Sequence, residues 1–142
     1  MRKVLRANTS EGSKIITKFP GPAAKTVLAQ DVKYVSPSYS RPCPLVAKSG
    51  RGVIVEDVDG NRFLNFSAGL AVVETEHCHQ KVVRAIQKQA AELIHLSGTD
   101  IYNPSLSALA KKLSEIAPAP GVKRILFGNS GTEAIEAAMK RY

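Results

Sequence analysis

The feature that most constrains the fold is a strand–turn–helix pattern at residues 122–140. A short apolar run, VKRILF, leads into Gly-Asn-Ser-Gly-Thr, and a helix-forming sequence, EAIEAAMK, follows. The run is short enough to be a buried strand, and such a strand needs parallel neighbours with helices on both faces. The pattern therefore predicts an α/β domain of which the 142 residues hold only the beginning. We expect the chain to be an N-terminal fragment.

The turn in this pattern has the features of an anion site. The first amides of a helix have no intrahelical acceptor, and the helix dipole adds partial positive charge there. Gly128 and Gly131 leave the backbone open to approach. Ser130 and Glu133 have the spacing of a capping box, which predicts that the helix starts at Ser130, and Thr132 adds a hydroxyl beside the free amides. A well-capped helix without a ligand remains the alternative interpretation.

Two nucleotide-binding motifs are absent from this turn, and their absence limits the kind of anion that it is predicted to bind. A nucleoside-triphosphate loop needs Gly-Lys-Ser/Thr, whereas positions 132–133 read Thr-Glu. A dinucleotide site needs a G-x-G-x-x-G run, which this turn lacks. The turn is therefore predicted to hold a single phosphate group.

Upstream, the sequence predicts a loose arm over residues 1–20, a short helix from Pro22, and a hairpin. In the hairpin, GVIVEDVDGNRFLNF, Val53, Val55 and Asp57 alternate with Ile54, Glu56 and Val58, and the chain turns at Asp59-Gly60. Its DVDGN run lacks the ligand spacing and distal Glu of a calcium loop, so a turn is favoured.

Two further helices are predicted from apolar stripes. Asn103-Pro104 is expected to open the second of them, and Pro118 to end it. The first stripe contains Val82, Val83, Ile86, Ala90, Leu93 and Ile94, and the second contains Leu106, Leu109, Ala110, Leu113 and Ile116.

Charge and composition exclude several classes of protein. The net charge is +8, and residues 1–50 hold nine Lys/Arg against two acidic residues. Because these charges are scattered and not interleaved with aromatic residues, a solvated face or an arm over a partner subunit is favoured over nucleic-acid binding. No apolar run is long enough to span a membrane. Cys43 and Cys78 match no CxxC pattern, which suits a reducing compartment, and we expect a cytoplasmic protein.

Four stretches together resemble the class III (omega, subgroup II) pyridoxal-phosphate-dependent aminotransferases, in the 4-aminobutyrate and acetylornithine/ornithine branch. The resemblance covers about residues 15–142. It is carried by FPGPAAKTVLAQDVKYVSPSYSRPCPLV, EDVDGNRFLNFSAGLAV, EHCHQKVVRAIQKQAAELIHLSGTDIY and FGNSGTEAIEAAMK, in the family's order. It implies the N-terminal part of a fold-type I transferase. Residues 1–75 would be the arm and hairpin segment of the small domain, and residues 76–142 the incomplete start of the large mixed-sheet cofactor domain.

The resemblance also implies the binding residues. Ser130, Gly131 and Thr132 would hold the phosphate of pyridoxal 5'-phosphate. Thr99 and Tyr102 would lie near the cofactor of the neighbouring subunit, since the active sites of the family form at a dimer interface. An ordinary loop is the alternative interpretation of these two residues.

The turn Ala-Gly-Leu-Ala-Val would form part of the substrate wall. It would place Leu70, with Ala71 and Val72, beside the substrate. Core packing is the alternative interpretation of these side chains.

The run His77-Cys78-His79 consists of potential metal ligands. Adjacent residues do not close a tetrahedral site easily and no second ligand pair exists, so we expect no metal. The resemblance makes these residues structural, at the entry to a long helix. Glu76 stands where the family generally has Gly, and Gln80 where it has Pro. If the family glycine has a positive φ, Glu76 is strained.

The function implied by the resemblance is transfer of an amino group from an omega-amino donor to a 2-oxo acid, through the pyridoxamine form of the cofactor. The Schiff-base lysine, the carboxylate on the pyridinium nitrogen, the stacking aromatic ring and the substrate-binding arginine all lie beyond the matched stretch in the family. We therefore expect no catalytic residue in this chain, an inactive fragment, and a homodimeric full-length protein. The alternatives are an amino-acid racemase of the same family, a stand-alone phosphate-binding module and a basic nucleic-acid-binding domain.

Overall fold

A computed structural model describes residues 12–140 of the chain. The contacts divide the chain into two units, one through Glu92 and one from Leu93. Among the described residues, the first unit holds α1 (Pro22–Tyr34), β1 (Ala47–Arg51), β2 (Ile54–Asp57), β3 (Arg62–Leu64), α2 (Ala68–Ala71) and α3 (Gln80–Glu92), and the second holds α4 (Pro104–Ile116) and α5 (Gly131–Met139).

The three strands form one antiparallel sheet in the order β1-β2-β3. The hairpin predicted from the sequence is confirmed, with Val55 opposite Phe63 in β2 and β3. β1 was not predicted, because its sequence, AKSGR, contains none of the β-branched or aromatic residues that favour strands. It forms through pairing with β2, whose register shifts between Ala47 and Ser49.

A buried polar pair, Asp57 and Asn61, lies beneath the hairpin turn. Both residues are 0% exposed. Asp57 Oδ1 accepts hydrogen bonds from the amides of Asp59 (2.9 Å) and Asn61 (2.8 Å), and its Oδ2 accepts one from Asn61 Nδ2 (2.7 Å). Burial raises the pKa of Asp57, but the hydrogen bonds from the Asn61 side chain and from backbone amides outweigh it, so this pKa lies below its ordinary value. The expected turn is thus confirmed.

The same turn caps α1 from outside the helix. Asp59 Oδ1 and Oδ2 accept hydrogen bonds from the amides of Ala23 and Ala24, each at 2.9 Å. A Cβ added at Gly21 would lie 2.4 Å from the Asp59 carboxyl carbon. Gly21, the residue before the helix, therefore has no room for a side chain, and the helix uses an aspartate distant in sequence in place of a local cap.

The segment before α1 is tied to the hairpin. Lys14 pairs with Arg62 through two backbone hydrogen bonds, and Asn61 Oδ1 accepts from the amides of Ile16 (2.8 Å) and Thr17 (2.9 Å). The expectation of a loose arm is therefore wrong for residues 14–17. Residues 1–11 of the expected arm lie outside the described residues.

The helices predicted from apolar stripes are present. α4 begins after Asn103, whose Oδ1 accepts from the amide of Ser105 (2.8 Å), and ends before Pro118 at the C-cap Ala117. α3 begins at Gln80, where the amide of Val83 donates to the carbonyl of His79 (3.0 Å). Both the predicted cap and the predicted stop of α4 are confirmed.

The strand predicted at 122–127 is not present. These residues belong to no helix or strand, and Val122 and Leu126 are 93% and 67% exposed. A strand requires hydrogen bonds from a neighbouring backbone, and no segment within 12–140 supplies them to this run. The expectation of a buried strand is wrong for the chain as described.

Candidate functional site

The first turn of α5 has the cap that its sequence predicts. Ser130, with φ −151° and ψ 162°, is the N-cap, and its Oγ accepts from the amide of Glu133 at 3.2 Å. The Glu133 carboxylate accepts in return from the amide of Asn129, one residue before the position a capping box usually uses. Two of the amides around the helix start are therefore satisfied by side chains.

The remaining amides of this turn are available to a ligand. Within residues 12–140, the amides of Gly131 and Thr132 donate to no protein acceptor. A Cβ placed at Gly131 would meet nothing within 4 Å, whereas one at Gly128 would lie 3.3 Å from Glu133 Cβ. Gly128 thus lets the loop close on the helix, and Gly131 leaves its own side open.

These groups fit a phosphate. The turn offers two free amides and the Thr132 hydroxyl as hydrogen-bond donors. It also lies at the positive end of the dipole of a nine-residue helix. Glu133, the one acidic residue of the first turn, is engaged as a cap. Binding of the phosphate by Ser130, Gly131 and Thr132 stays a prediction.

The loop before α4 belongs to the same unit. Thr99 Oγ1 lies 2.9 Å from Ser97 Oγ, which donates to Asp100 Oδ2 at 2.6 Å. Tyr102 is 99% exposed. No hydrogen bond of the described residues joins this loop to the first turn of α5. A role for Thr99 and Tyr102 at a neighbouring subunit stays a prediction.

The predicted substrate wall includes α2 (Ala68–Ala71), which is a left-handed turn and not a regular α-helix. Ala68, Gly69, Leu70 and Ala71 have φ of 47°, 63°, 60° and 59°. The turn is closed by hydrogen bonds from the amides of Ala71 to the Ser67 carbonyl (2.9 Å) and of Val72 to the Ala68 carbonyl (3.0 Å). Consecutive left-handed residues other than glycine are unfavourable, by roughly 1–2 kcal/mol each. Only Gly69 signals this conformation in the sequence, which is why a turn was predicted here but its left-handed conformation was not.

Leu70 presents a large apolar side chain from this strained backbone. It is 85% exposed in the structure, so the alternative that it packs in a core is not realised in the described residues. Strained backbone of this kind occurs preferentially at functional sites, where the surrounding structure holds it in place.

His77 and His79 are occupied with structural contacts. Asn65 Nδ2 lies 2.7 Å from His77 Nε2, and His79 Nδ1 accepts from the amide of Lys81 at 3.3 Å, at the start of α3. Within residues 12–140 no group of three potential ligands could hold a metal ion. The role of Asn65 was missed from the sequence, although Asn65-Phe66-Ser67 has the spacing of an Asx turn.

Glu76 has φ 107°, so the conditional expectation of strain at this position is confirmed. Gln80, the other departure, is the first residue of α3. In the described part of the chain, no helix combines the length and apolar character needed to cross a membrane.

The chain belongs to the class-III aminotransferases. The family model "Aminotransferase class-III" matches residues 34–142, most of the chain. The enzymes of this family are pyridoxal-phosphate-dependent proteins of fold type I. This family assignment agrees with the free amides at the start of α5, which suit a phosphate group, and with an incomplete α/β fold.

Curated relatives place the chain in the acetylornithine and 4-aminobutyrate branch. It is 43% identical over 116 residues to the acetylornithine aminotransferase of Methanosarcina acetivorans, covering 81% of this chain and 28% of the relative. It is 37% identical over 131 residues to the alanine/serine racemase of Pyrococcus horikoshii (92% and 27%). It is 34% identical over 134 residues to a 4-aminobutyrate aminotransferase of Mycobacterium tuberculosis (94% and 30%).

A solved structure agrees in fold. The ornithine delta-aminotransferase of Plasmodium falciparum superimposes with a TM-score of 0.73 at 28% identity, over 82% of this chain and 29% of that one. The chain thus spans less than a third of the length of these relatives.

Proposed function

We propose that this chain supplies the N-terminal part of a pyridoxal-phosphate-dependent aminotransferase. The enzyme would transfer an amino group from an omega-amino donor, of the 4-aminobutyrate, acetylornithine or ornithine type, to a 2-oxo acid. The observation that carries the proposal is the first turn of α5, where the amides of Gly131 and Thr132 have no protein acceptor and a Cβ at Gly131 would meet nothing within 4 Å. Named relatives in the same family support the donor class.

In this proposal each part of the chain has one task. Ser130, Gly131 and Thr132 bind the phosphate and so fix the position of pyridoxal 5'-phosphate, while Leu70 and Ala71 contact the carbon chain of the donor and exclude water from it. Thr99 and Tyr102 would act across the interface of a homodimer. When bound, the cofactor supplies the electron sink for chemistry at the carbon that carries the amino group.

The groups that move protons are assigned to the rest of the protein, and we expect residues 1–142 alone to be inactive. The domain boundary at residues 75/76 also belongs to the proposal. A racemase is the second candidate, favoured by the similarity to the alanine/serine racemase. A stand-alone phosphate-binding module is less well supported, since no residue of 93–140 is buried.

Two chimeras separate the aminotransferase from the racemase. Residues 34–142 of this chain replace the aligned segment in the M. acetivorans acetylornithine aminotransferase and, separately, in the P. horikoshii racemase. We expect the first chimera to retain cofactor and to consume 2-oxo acid in proportion to donor, and the second to lose racemisation. The reverse pattern would favour the racemase, and a lack of both activities in chimeras that retain cofactor would contradict both candidates.

Thr132 tests the phosphate site in the first chimera. Thr132→Val removes a hydroxyl next to a dianion and should weaken cofactor binding by about tenfold or more, because a hydrogen bond to a charged group contributes roughly 1.5–3 kcal/mol. Thr132→Ser should restore binding, and Ser114→Ala, which removes a hydroxyl that donates to the Lys111 carbonyl within α4, should leave it unchanged. Dissociation constants for pyridoxal 5'-phosphate measure the effect. Equal affinities for all three variants would exclude Thr132 from the site.

A further inference from the structure

The loop of residues 66–76, which contains the left-handed turn, is closed at its base. The amide of Asn65 donates to the Val53 carbonyl at 2.8 Å, and Gly52 and His77 exchange two backbone hydrogen bonds of 3.1 and 3.0 Å. The two ends of the loop are therefore held against the same β1–β2 turn. The conformation of the loop therefore depends on the side chains of Asn65 and His77, which lie at this base.

Asn65 links both ends of the loop through its side chain. Its Oδ1 accepts from the amide and from the hydroxyl of Ser67, each at 2.8 Å, and its Nδ2 lies 2.7 Å from His77 Nε2. A backbone amide can only donate, so the atom facing Ser67 is the oxygen and the atom facing His77 is the amide nitrogen. His77 Nε2 must then accept, which requires the neutral imidazole with its proton on Nδ1.

The position of the His77 ring depends on a missing side chain. A Cβ added at Gly50, in β1, would lie 2.9 Å from His77 Cγ and 3.0 Å from His77 Cβ. The ring thus occupies the space that a residue other than glycine would fill. Asn65 and His77 are both half-buried, so their hydrogen bond is partly protected from competition with water.

The other end of this linkage reaches the left-handed turn that contains Leu70. Ser67, which donates to Asn65, accepts the amide of Ala71 through its carbonyl at 2.9 Å. A strained left-handed turn persists only where its surroundings hold it, and Asn65 with His77 provides the contacts at its base.

We propose that Asn65 and His77 are positioning residues, whose hydrogen bond, made only by the Nδ1-protonated tautomer of His77, holds Leu70 and Ala71 in place for the amino donor. The part concerning the donor rests on the proposed function, whereas the linkage itself concerns this chain alone. Neither residue touches the donor or the cofactor in this scheme.

The tautomer is tested first, by imidazole nitrogen NMR on the 142-residue chain. We expect His77 to show a protonated Nδ1 and an unprotonated Nε2 at neutral pH. Asn65→Asp replaces the donor by an acceptor while keeping the bonds to Ser67, so Nε2 of His77 should become protonated. A His77 that is Nε2-protonated in the wild type, or that does not change in Asn65→Asp, would overturn the proposal.

The effect on the turn is tested by hydrogen exchange of the amides of Ala71, Val72, Val73 and Glu76, all of which are hydrogen-bonded within the loop. His77→Phe keeps a ring but loses the acceptor, and we expect these amides to exchange about tenfold faster, as for the loss of one hydrogen bond. His77→Gln offers an acceptor oxygen and should restore protection in part. His95→Phe, on an exposed histidine of the other unit, is the matched control.

Equal exchange in His77→Phe and His95→Phe would overturn the proposal, and so would a wild-type loop that exchanges as fast as an unfolded chain. In the aminotransferase chimera, His77→Phe should raise KM for the donor about tenfold with cofactor affinity unchanged. A chimera without activity whose loop still shows the predicted tautomer and exchange would count against the proposed function only. Normal donor KM in His77→Phe would refute the positioning role.

Discussion

Glu76 has a backbone conformation that glycine adopts at lower cost. Its φ of 107° lies in the region where a Cβ is unfavourable. Glu76→Gly is expected to stabilise the closed base of the loop by about 1 kcal/mol, the usual size of this strain. The measurement is the opening free energy of the Gly52 and His77 amides, obtained from native-state hydrogen exchange.

The control for this substitution is Glu74→Gly, two residues earlier, since Glu74 is not among the residues with positive φ. There the new glycine only adds freedom to the unfolded chain, and we expect no gain in stability. If both glycine variants shifted the opening free energy alike, strain at Glu76 would not be the cause.

Asp57 makes the hairpin turn sensitive to acid. Its pKa lies below the ordinary value in the folded chain, because the hydrogen bonds from Asn61 and from backbone amides outweigh the effect of burial. Because folding lowers this pKa, the ionised carboxylate stabilises the folded chain in full above the pKa of about 4 that aspartate has in the unfolded chain. The stabilisation is lost as the pH falls through the lower pKa of the folded chain. The carboxyl resonance of Asp57, followed by NMR, should titrate below the ordinary aspartate value of about 4.

In Asp57→Asn the part of the turn's acid response that comes from Asp57 should vanish, since the side chain at position 57 is then no longer ionisable. The amides of Asp59 and Asn61 report it, because both donate to Asp57 in the wild type. An unchanged acid response in this variant would assign the effect to another carboxylate.

At the scale of residues, the sequence predicts contacts that are local and misses those that are not. Ser130 and Asn103 cap the helices that follow them at once, so spacing alone reveals them. Asp59 caps a helix 35 residues earlier, and Asn65 reaches a histidine 12 residues later. No pattern in the sequence encodes such distances, because the partners meet only in the folded structure.

Helix α1 depends on a cap from another element. Asp59→Ala removes both acceptors at its N-terminus, and it should lower the stability of α1 by about 1 kcal/mol, within the range of roughly 0.5–2 for lost caps. The exchange of amides within α1 measures this loss.

Asp31→Ala serves as the control for Asp59→Ala. It breaks an ion pair with Arg41 whose side chains are 35% and 50% exposed, and surface pairs of this kind contribute little. A loss for Asp31→Ala as large as that for Asp59→Ala would show that the cap has no special role.

At the scale of elements, strands were predicted less well than helices. Helices complete most of their backbone hydrogen bonds internally, so α3 and α4 follow from their apolar stripes. Strands depend on a partner for their hydrogen bonds. β1 forms because β2 pairs with it, although its sequence does not favour a strand. Residues 122–127 form no strand, although their sequence favours one. The left-handed turn is a third case, in which three residues other than glycine are held by contacts that the sequence does not show.

At the scale of the whole molecule, burial is confined to the first unit. Among residues 12–140 the buried ones are Gly21, Ala24, Val55, Asp57 and Asn61, all before Glu92. Large apolar residues of α4 and α5, such as Leu109 (50%), Ile116 (63%) and Ile135 (63%), are exposed. The two units should therefore differ in stability.

Hydrogen exchange on the 142-residue chain tests this difference. We expect the amides of β2 and β3 to be protected and those of α4 and α5 to exchange with opening free energies near zero, because few buried apolar contacts oppose local opening. In the aminotransferase chimera, the same helix amides should gain protection. Protection of α4 in the isolated chain equal to that of β2 would contradict the expected order.

The outside cap of α1 has a consequence for the newly made chain. Asp59 is synthesised about 35 residues after the amides of Ala23 and Ala24 that it binds, and at roughly 5–20 residues per second this corresponds to about 2–7 s of translation. During that interval the helix has no cap, and Gly21 offers no side chain to replace it. Helix α1 therefore gains its cap only after the hairpin turn has been synthesised.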